Sequence, residues 1–455
     1  MRNRLSKSFF PLIIFFLFSL SLGSLYIKNI GPKSVGDYDM HFYNTYILAT
    51  GQFNDNFKSD LENHNMKKMV FVGPENFLNL NGADYGYEGK ILSPLEKDPN
   101  WQEQLDSYNI SNGSTRHLVR TQYPPLNWIF QAIGLKIGML LHQSPFHAWQ
   151  MARVANFCGF ITIMILAIVI IPRGKWVLTA VGIFPISVFL ASSMSGDAIN
   201  ISISALLVAY IMHLRFSSQQ YQIIKLSQII KLMGLVLIIF NLKVAYVPML
   251  VIIFLIPNKF YSLKKKIISV GIASLLGLLM YWLWSSKFGT VLLGFADLPQ
   301  NILFVKEHLI TALFSVIIFT LNIPFYFIAG LSTGGAVGVL GFITIIFAIL
   351  LIIQTISVNY QSININVSKL SERIMLYLPI MLGLLAFLGV MMLTSFALLT
   401  TWTKVYPGGV GKTFGMTDIQ GLQARYLVPL MPLIALIYGV SKDFIVTAKN
   451  SISEN

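Results

Sequence analysis

The chain has 455 residues, 55% of them hydrophobic and only 11% charged, with a mean hydropathy of +0.66. A charged fraction below half the soluble average, with apolar runs recurring along the whole length, excludes a soluble domain and implies a polytopic membrane protein. The formal charge of +14, from 33 Lys and Arg against 19 Asp and Glu, is accounted for by cytoplasmic loops and anionic headgroups, so no nucleic-acid partner follows from it. The single cysteine, Cys158, lies inside an apolar run and allows neither an intrachain disulfide nor a CxxC-type metal site.

In chain order, Arg2, Arg4 and Lys7 precede the apolar run Phe9 to Ile27. The run is long enough to cross a bilayer, which predicts an uncleaved first span with a cytoplasmic N-terminus; the alternative is a signal peptide with a poor cleavage site at Ser21-Leu22-Gly23. Soon after it comes Gly36-Asp37-Tyr38-Asp39-Met40-His41-Phe42, which packs two carboxylates and an imidazole into five positions. Such a group suits proton transfer or a metal better than a core. A helical backbone puts Asp37 and His41 on one face, and an extended one puts Asp37, Asp39 and His41 on one side. The plainer alternative is a solvated cap, with Asp39 at the N-cap of a helix running from Tyr43 to Gly51.

Residues 28–147 form the one long polar segment and are expected outside, as a first extracytoplasmic loop with amphipathic helices. Within it, Leu126 to Leu141 is apolar but interrupted by Gln131, Gly134 and Lys136, which predicts a helix lying along the outer surface. Spans are then expected at Ala148 to Ile171, Trp176 to about Ala191, Ala198 to Leu214, Ile229 to Phe240, Tyr246 to Ile256, Ile267 to Trp284, Val337 to Ile356, Leu376 to Leu399 and Tyr426 to Tyr438. Arg173, Lys175 and the cluster Lys259, Lys264, Lys265 and Lys266 fall in cytoplasmic loops on this scheme, and the C-terminus with Lys442 and Lys449 is also inside. Alternation survives only if Asn301 to Gly330 is a surface helix or re-entrant hairpin, bent at Pro324. The expected architecture is an all-α transmembrane bundle of about ten or eleven spans, a single integral membrane domain over residues 1–455.

The unusual residues all land at the outer face on this topology: Asp37, Asp39 and His41; Arg116 to Tyr123; Ser193, Ser195 and Asp197; Asn241 and Lys243; Gln423, Arg425 and Tyr426. Lys243 stands between two short apolar runs at or near bilayer depth, where a cation costs several kcal/mol unless paired or wetted, so it marks a site unless it snorkels outward. Asp197 serves equally well as the N-cap of the span that follows it. Gly408-Gly409-Val410-Gly411-Lys412-Thr413 lacks Walker spacing and a preceding strand, and is expected to be a flexible outer loop.

Taken together, these short motifs resemble a bacterial family of large membrane proteins related to the GT-C glycosyltransferases. The family pattern runs Pro-Asp-Glu-x-x-His-Phe, Tyr-x-Pro, Ser-x-Ser-x-Asp, a Lys before a later span, and Gly-x-Gln-Gly-Arg-Tyr-x-x-Pro-x-x-Pro. The corresponding residues are Asp37 with His41-Phe42, Tyr123-Pro124-Pro125, Ser193-x-Ser195-x-Asp197, Lys243, and Gly421-x-Gln423-Ala424-Arg425-Tyr426-x-x-Pro429-x-x-Pro432. Two positions depart from it: Tyr38 stands where the family has its second acid, with Asp39 one place later, and Ala424 replaces a Gly.

The resemblance implies a GT-C-like enzyme that moves a sugar from a polyprenyl-phosphate-linked donor to a cell-envelope glycan, lipid or protein acceptor, at the outer face of a bacterial plasma membrane. It implies catalytic roles for Asp37, Asp39 and His41, with Asp37 or Asp39 as base. Substrate binding would fall to Arg116, Arg120, Tyr123, Ser195, Asp197, Lys243, Gln423, Arg425 and Tyr426, the cations holding the leaving phosphate. It fixes no cofactor, and Asp37 with Asp39 is a place for a divalent cation. One rival, a flippase or exporter of lipid-linked glycans, needs the same cations but no base; a second is a non-catalytic partner in envelope assembly.

Overall fold

The computed structural model describes residues 2–29, 35, 38–51, 123–143, 145–221, 223–288, 298–331, 346, 370–403, 412–413, 416–417 and 419–440. The protein is an all-α polytopic membrane bundle; among the described residues the only strands are a two-residue antiparallel pair, Lys412–Thr413 with Met416–Thr417. That pair overlaps the glycine-rich segment expected to be a loop. The helices are α1 (Arg2–Asn29), α2 (Tyr38–Thr50), α3 (Ile129–Leu140), α4 (Pro145–Ile170), α5 (Lys175–Ile183), α6 (Pro185–Ala191), α7 (Asp197–Tyr221), α8 (Leu226–Leu242), α9 (Leu263–Phe288), α10 (Leu298–Glu307), α11 (Leu309–Leu331) and α12 (Leu370–Thr401).

Five of them, α1, α4, α7, α9 and α12, are long and apolar enough to cross a membrane, and α10 with α11 makes a sixth if the bent pair is one span. The other crossings expected from the sequence correspond to shorter pieces, residues 226–242, 244–255 and 428–440 and the pair α5–α6. Val337 to Ile356 lies outside the described residues. The span of α7 is 89% buried and that of α9 only 17%, which places α7 at the centre of the bundle and α9 at its rim. A helix apolar all round belongs where neighbours surround it, and Ala198, Ala205 and Ala209 on α7 let them approach closely. One continuous apolar core runs from Phe15 to Val440, so the first and last elements share it.

Three local details refine the sequence scheme. The run Trp176 to Ala191 breaks at Phe184, whose extended backbone (φ −57°, ψ 133°) precedes Pro185 at the start of α6, because proline disfavours helix in the residue before it. Leu126 to Leu141 begins with a 3-10 turn, Pro125–Trp128, after which helix α3 runs back lengthwise along α4. Glycines make this contact. A Cβ on Gly134 would stand 2.3 Å from the Met151 carbonyl oxygen, and one on Gly138 2.7 Å from the Ala148 Cα. The opposite stripe of α3, Ile129, Ile133 and Ile137, is exposed while Gln131 is buried, the polarity of a helix facing lipid. Third, the bend in Asn301 to Gly330 falls at His308, where α10 and α11 meet at 106°, and Pro324 stays inside α11. Asn301 holds α10 in that direction by donating to the carbonyls of Leu399, Thr400 and Thr403 at the end of α12.

Between α8 and α9 the chain forms twelve residues of 3-10 helix, Val244–Leu255. At about 2.0 Å per residue this covers roughly 24 Å, against about 18 Å for an α-helix of that length, so few residues traverse more of the bundle. Its C-terminal carbonyls are capped by buried cations. Arg215 donates to the Leu255 carbonyl (2.6 Å), and Lys266 to the Ile256 carbonyl and to Asn258 Oδ1 (2.9 Å). At its other end stands Lys243.

Candidate functional site

Asp197 is the first residue of α7, and the turn Ser192 to Gly196 delivers it. Ser193 Oγ accepts the Ser195 N–H (3.1 Å) and Ser195 Oγ accepts the Asp197 N–H (3.2 Å). The turn's carbonyls are tied down from outside it. Asn156 Nδ2 on α4 donates to the carbonyls of Leu190, Ser193 and Ser195, and Gln131 Nε2 on α3 also donates to that of Ser195 (3.0 Å). Arg153, 1% exposed, donates through Nε to Ser192 O (2.8 Å), through Nη1 to Ile27 O and Gln150 Oε1, and through Nη2 to Tyr26 O. It thereby ties the turn to the carbonyl end of α1, where a cation is favoured.

The Asp197 carboxylate does not cap its own helix. Oδ2 lies 3.1 Å from Arg425 Nε, both side chains being less than a tenth exposed. Arg425 belongs to the 3-10 turn Ala424–Tyr426. Lys243, the C-cap of α8, has an extended backbone (φ −153°, ψ 108°) that aims its side chain across the helix break. Its ammonium sits among three tyrosine rings, 3.8 Å from the centroid of Tyr426, 5.4 Å from Tyr123 and 5.8 Å from Tyr246. The Arg425 guanidinium carbon is 5.7 Å from the same Tyr426 ring, so one tyrosine has both cations beside it. Tyr246 fixes that segment by donating its hydroxyl proton to the Tyr426 carbonyl (2.9 Å). Arg425, Lys243 and His41 all lie within electrostatic range of Asp197.

His41, on α2, enters the cluster from a third direction. Its Nε2 is 3.3 Å from Ser195 Oγ, and its Nδ1 receives Trp128 Nε1–H (3.1 Å) and the Gly196 amide (3.3 Å). Gly196 leaves room here, since a Cβ would stand 3.1 Å from Asn127 Cβ and 3.2 Å from Trp128 Nε1, and a neighbour would have to give by a few tenths of an ångström. Asn127 closes this side: its amide nitrogen donates to Leu242 O (2.7 Å), beside Lys243, and its Oδ1 accepts from Asn200 on α7. Asn156, which grips the turn, lies about 16 Å along α4 from Pro145 at 1.5 Å per residue. The cluster is therefore sunk well into the bundle.

The structure thus brings together His41, Tyr123, Ser195, Asp197, Lys243, Arg425 and Tyr426. Gln423 adjoins them through its carbonyl, which accepts the Tyr426 N–H (3.0 Å). Asp37, Arg116 and Arg120 lie outside the described residues. Asp39 is on α2, and its side chain is outside the described set, so the pair expected to hold a divalent cation is not described. Asn127, Trp128, Gln131, Arg153 and Asn156 were not singled out as site residues by sequence. The available signal was their polarity: Arg153 and Asn156 interrupt an apolar span, and Gln131 an apolar helix, positions where a polar group needs a buried partner.

With this geometry in place, comparison with known proteins gives a family. A family model described as a predicted membrane protein family, DUF2142, matches residues 18–434, and the chain belongs to that family. No curated protein and no solved structure matches it.

Proposed function

We propose that this DUF2142 member is a membrane glycosyltransferase that moves a sugar from a polyprenyl-phosphate-linked donor to a glycan, lipid or protein acceptor of the cell envelope. It would work at the outer face of a bacterial plasma membrane, with both termini cytoplasmic. The supporting observation is that Lys243 and Arg425, distant in sequence, flank one tyrosine ring beside Asp197 inside an apolar bundle. Among the described side chains this group holds two cations and one carboxylate. Two buried cations beside one carboxylate suit an entering phosphate, whose charge complements theirs. Arginine supplies a planar fork for phosphate oxygens and lysine a compact point charge. A polyprenyl phosphate adds an apolar tail suited to the lipid-facing surfaces around the site.

In the reaction, the acceptor hydroxyl oxygen bonds to the anomeric carbon while the bond from that carbon to the phosphate oxygen breaks. The electron pair leaves with the phosphate, where Lys243 and Arg425 stabilise it. The hydroxyl proton goes to a carboxylate base, for which Asp37 is the first choice and Asp39 the alternative.

The test is purified full-length protein with a panel of polyprenyl-phosphate sugars, following both donor binding and the glycosidic product. Product formation supports the enzyme. Binding and transbilayer movement without product would make the protein a carrier, and absence of binding would end the lipid-phosphate reading.

A further inference from the structure

His41 stands among residues expected to handle the proton, and its hydrogen bonds suit another task. Two N–H groups, neither able to accept, point at Nδ1: the Trp128 indole at 3.1 Å and the Gly196 amide at 3.3 Å. Nδ1 therefore carries a lone pair, and the proton of the neutral ring sits on Nε2. Nε2 lies 3.3 Å from Ser195 Oγ, so the ring is the donor in that bond. Ser195 Oγ also accepts the Asp197 N–H at 3.2 Å, and its own proton goes to Asp197 Oδ2 at 3.4 Å.

Every bond in this series runs one way, from Trp128 through His41 and Ser195 to Asp197, and the carboxylate at its end meets Arg425. The direction is opposite to that of a serine nucleophile, which gives its proton to an imidazole lone pair. A His41 acting as base would have to take a proton at Nδ1, where two donors already stand. All members of the series are buried, His41 8% exposed, Trp128 3%, Ser195 0% and Asp197 7%, so the bonds act in a dry, low-dielectric setting that strengthens them. The ring is also firmly seated. The next residue on α2, Phe42, and Tyr46 one turn on share a core with Ala132 and Leu135 of α3 and Ala152 of α4.

We propose that His41 is a positioning residue: a neutral, Nε2-protonated donor that, through Ser195, fixes the Asp197 carboxylate in the orientation that holds Arg425 for an anionic phosphate. The phosphate part rests on the glycosyl-transfer reading; the tautomer does not. The seating of α2, which follows the first span, is in this way transmitted to a guanidinium contributed by the other end of the chain.

The test begins with full-length protein labelled with ¹⁵N-histidine in lipid nanodiscs, the His41 resonances being assigned by their loss in His41→Gln. The expected result at neutral pH is a neutral ring with the proton on Nε2. A proton on Nδ1, alone or with one on Nε2, would overturn the proposal. This measurement needs no activity: a wild type that binds no polyprenyl phosphate ends the glycosyl-transfer reading and leaves the tautomer to be decided on its own. The second arm uses binding and turnover of a polyprenyl-phosphate sugar. Glutamine keeps a donor near the place of Nε2, while asparagine keeps an acceptor near Nδ1 and loses the donor. His41→Asn should weaken donor binding about tenfold, the worth of one hydrogen bond to a charge-bearing network, with His41→Gln recovering most of it. Ser195→Ala should weaken it as much, and the double variant His41→Asn with Ser195→Ala no more than either alone. Equal, large falls in kcat for His41→Asn and His41→Gln at unchanged Kd would identify a base and overturn the positioning role, as would additive losses in the double variant.

Discussion

Arg425 and Asp197 meet as a buried ion pair, Nε to Oδ2 at 3.1 Å, although one follows the last long span and the other begins the central helix. Removing the carboxylate takes away the acid that faces the buried Arg425 guanidinium. Asp197→Asn should therefore cost about 3–5 kcal/mol, while the double variant Asp197→Asn with Arg425→Gln costs less than the single one. Thermal unfolding of the purified protein in nanodiscs checks this. A single variant as stable as wild type would show that the pair does not hold the two segments together.

Lys243→Met and Arg425→Met each remove a cation from the side of Tyr426 while keeping an apolar stem of similar length. Each should weaken binding of a polyprenyl-phosphate donor by about tenfold or more, the scale of one charge-assisted hydrogen bond. Titration with a short-chain donor measures it. Unchanged affinity in both would remove these residues from the phosphate role.

A base acts in the transition state, so Asp37→Asn should lower turnover by on the order of a hundredfold while donor binding stays nearly intact. With Asp37 as the base, Asp39→Asn should do less. Transfer abolished only in Asp39→Asn would move the base by two residues. Full transfer in both single variants and in the double variant would reject a carboxylate base.

The seam between α3 and α4 allows a test of packing that removes no charge. Gly134→Ala places a methyl 2.3 Å from the Met151 backbone oxygen, which cannot swing aside as a side chain would. The expected cost is about 1–3 kcal/mol. Since α3 continues from the 3-10 turn carrying Asn127 and Trp128, donor affinity should fall with it. Gly234→Ala, where nothing lies within 4 Å of the added Cβ, is the control. Equal melting temperatures for the two variants would mean that α3 is not seated as described.

Topology has its own check. With Cys158 replaced by Ser, a membrane-impermeant thiol reagent applied from outside should label a cysteine at position 90 and spare one at position 264. The reverse pattern would invert the orientation of the bundle and with it the outer-face assignment.

The sequence by itself determined the class of molecule. An apolar content of 55% in recurrent long runs points to a helical membrane bundle, because in lipid a chain must satisfy its backbone internally and apolar runs of about twenty residues do so as helices. It also marked Lys243, Asp197, Arg425 and His41, since polar groups among apolar runs are costly and persist where something pairs with them. Tertiary structure decided how they pair. No local pattern could tell that Asp197 would turn from its own helix end to Arg425, that Lys243 would lie among tyrosines from three segments, or that His41 would meet Trp128 and Gly196. Nor could it tell that glycines 134 and 138 would let α3 pack closely against α4. Periodicity and charge bias report which face of an element avoids water or lipid. Which neighbour that face meets depends on shape, on where a side chain is missing and on which buried donor needs which acceptor, and those are settled only when the helices pack.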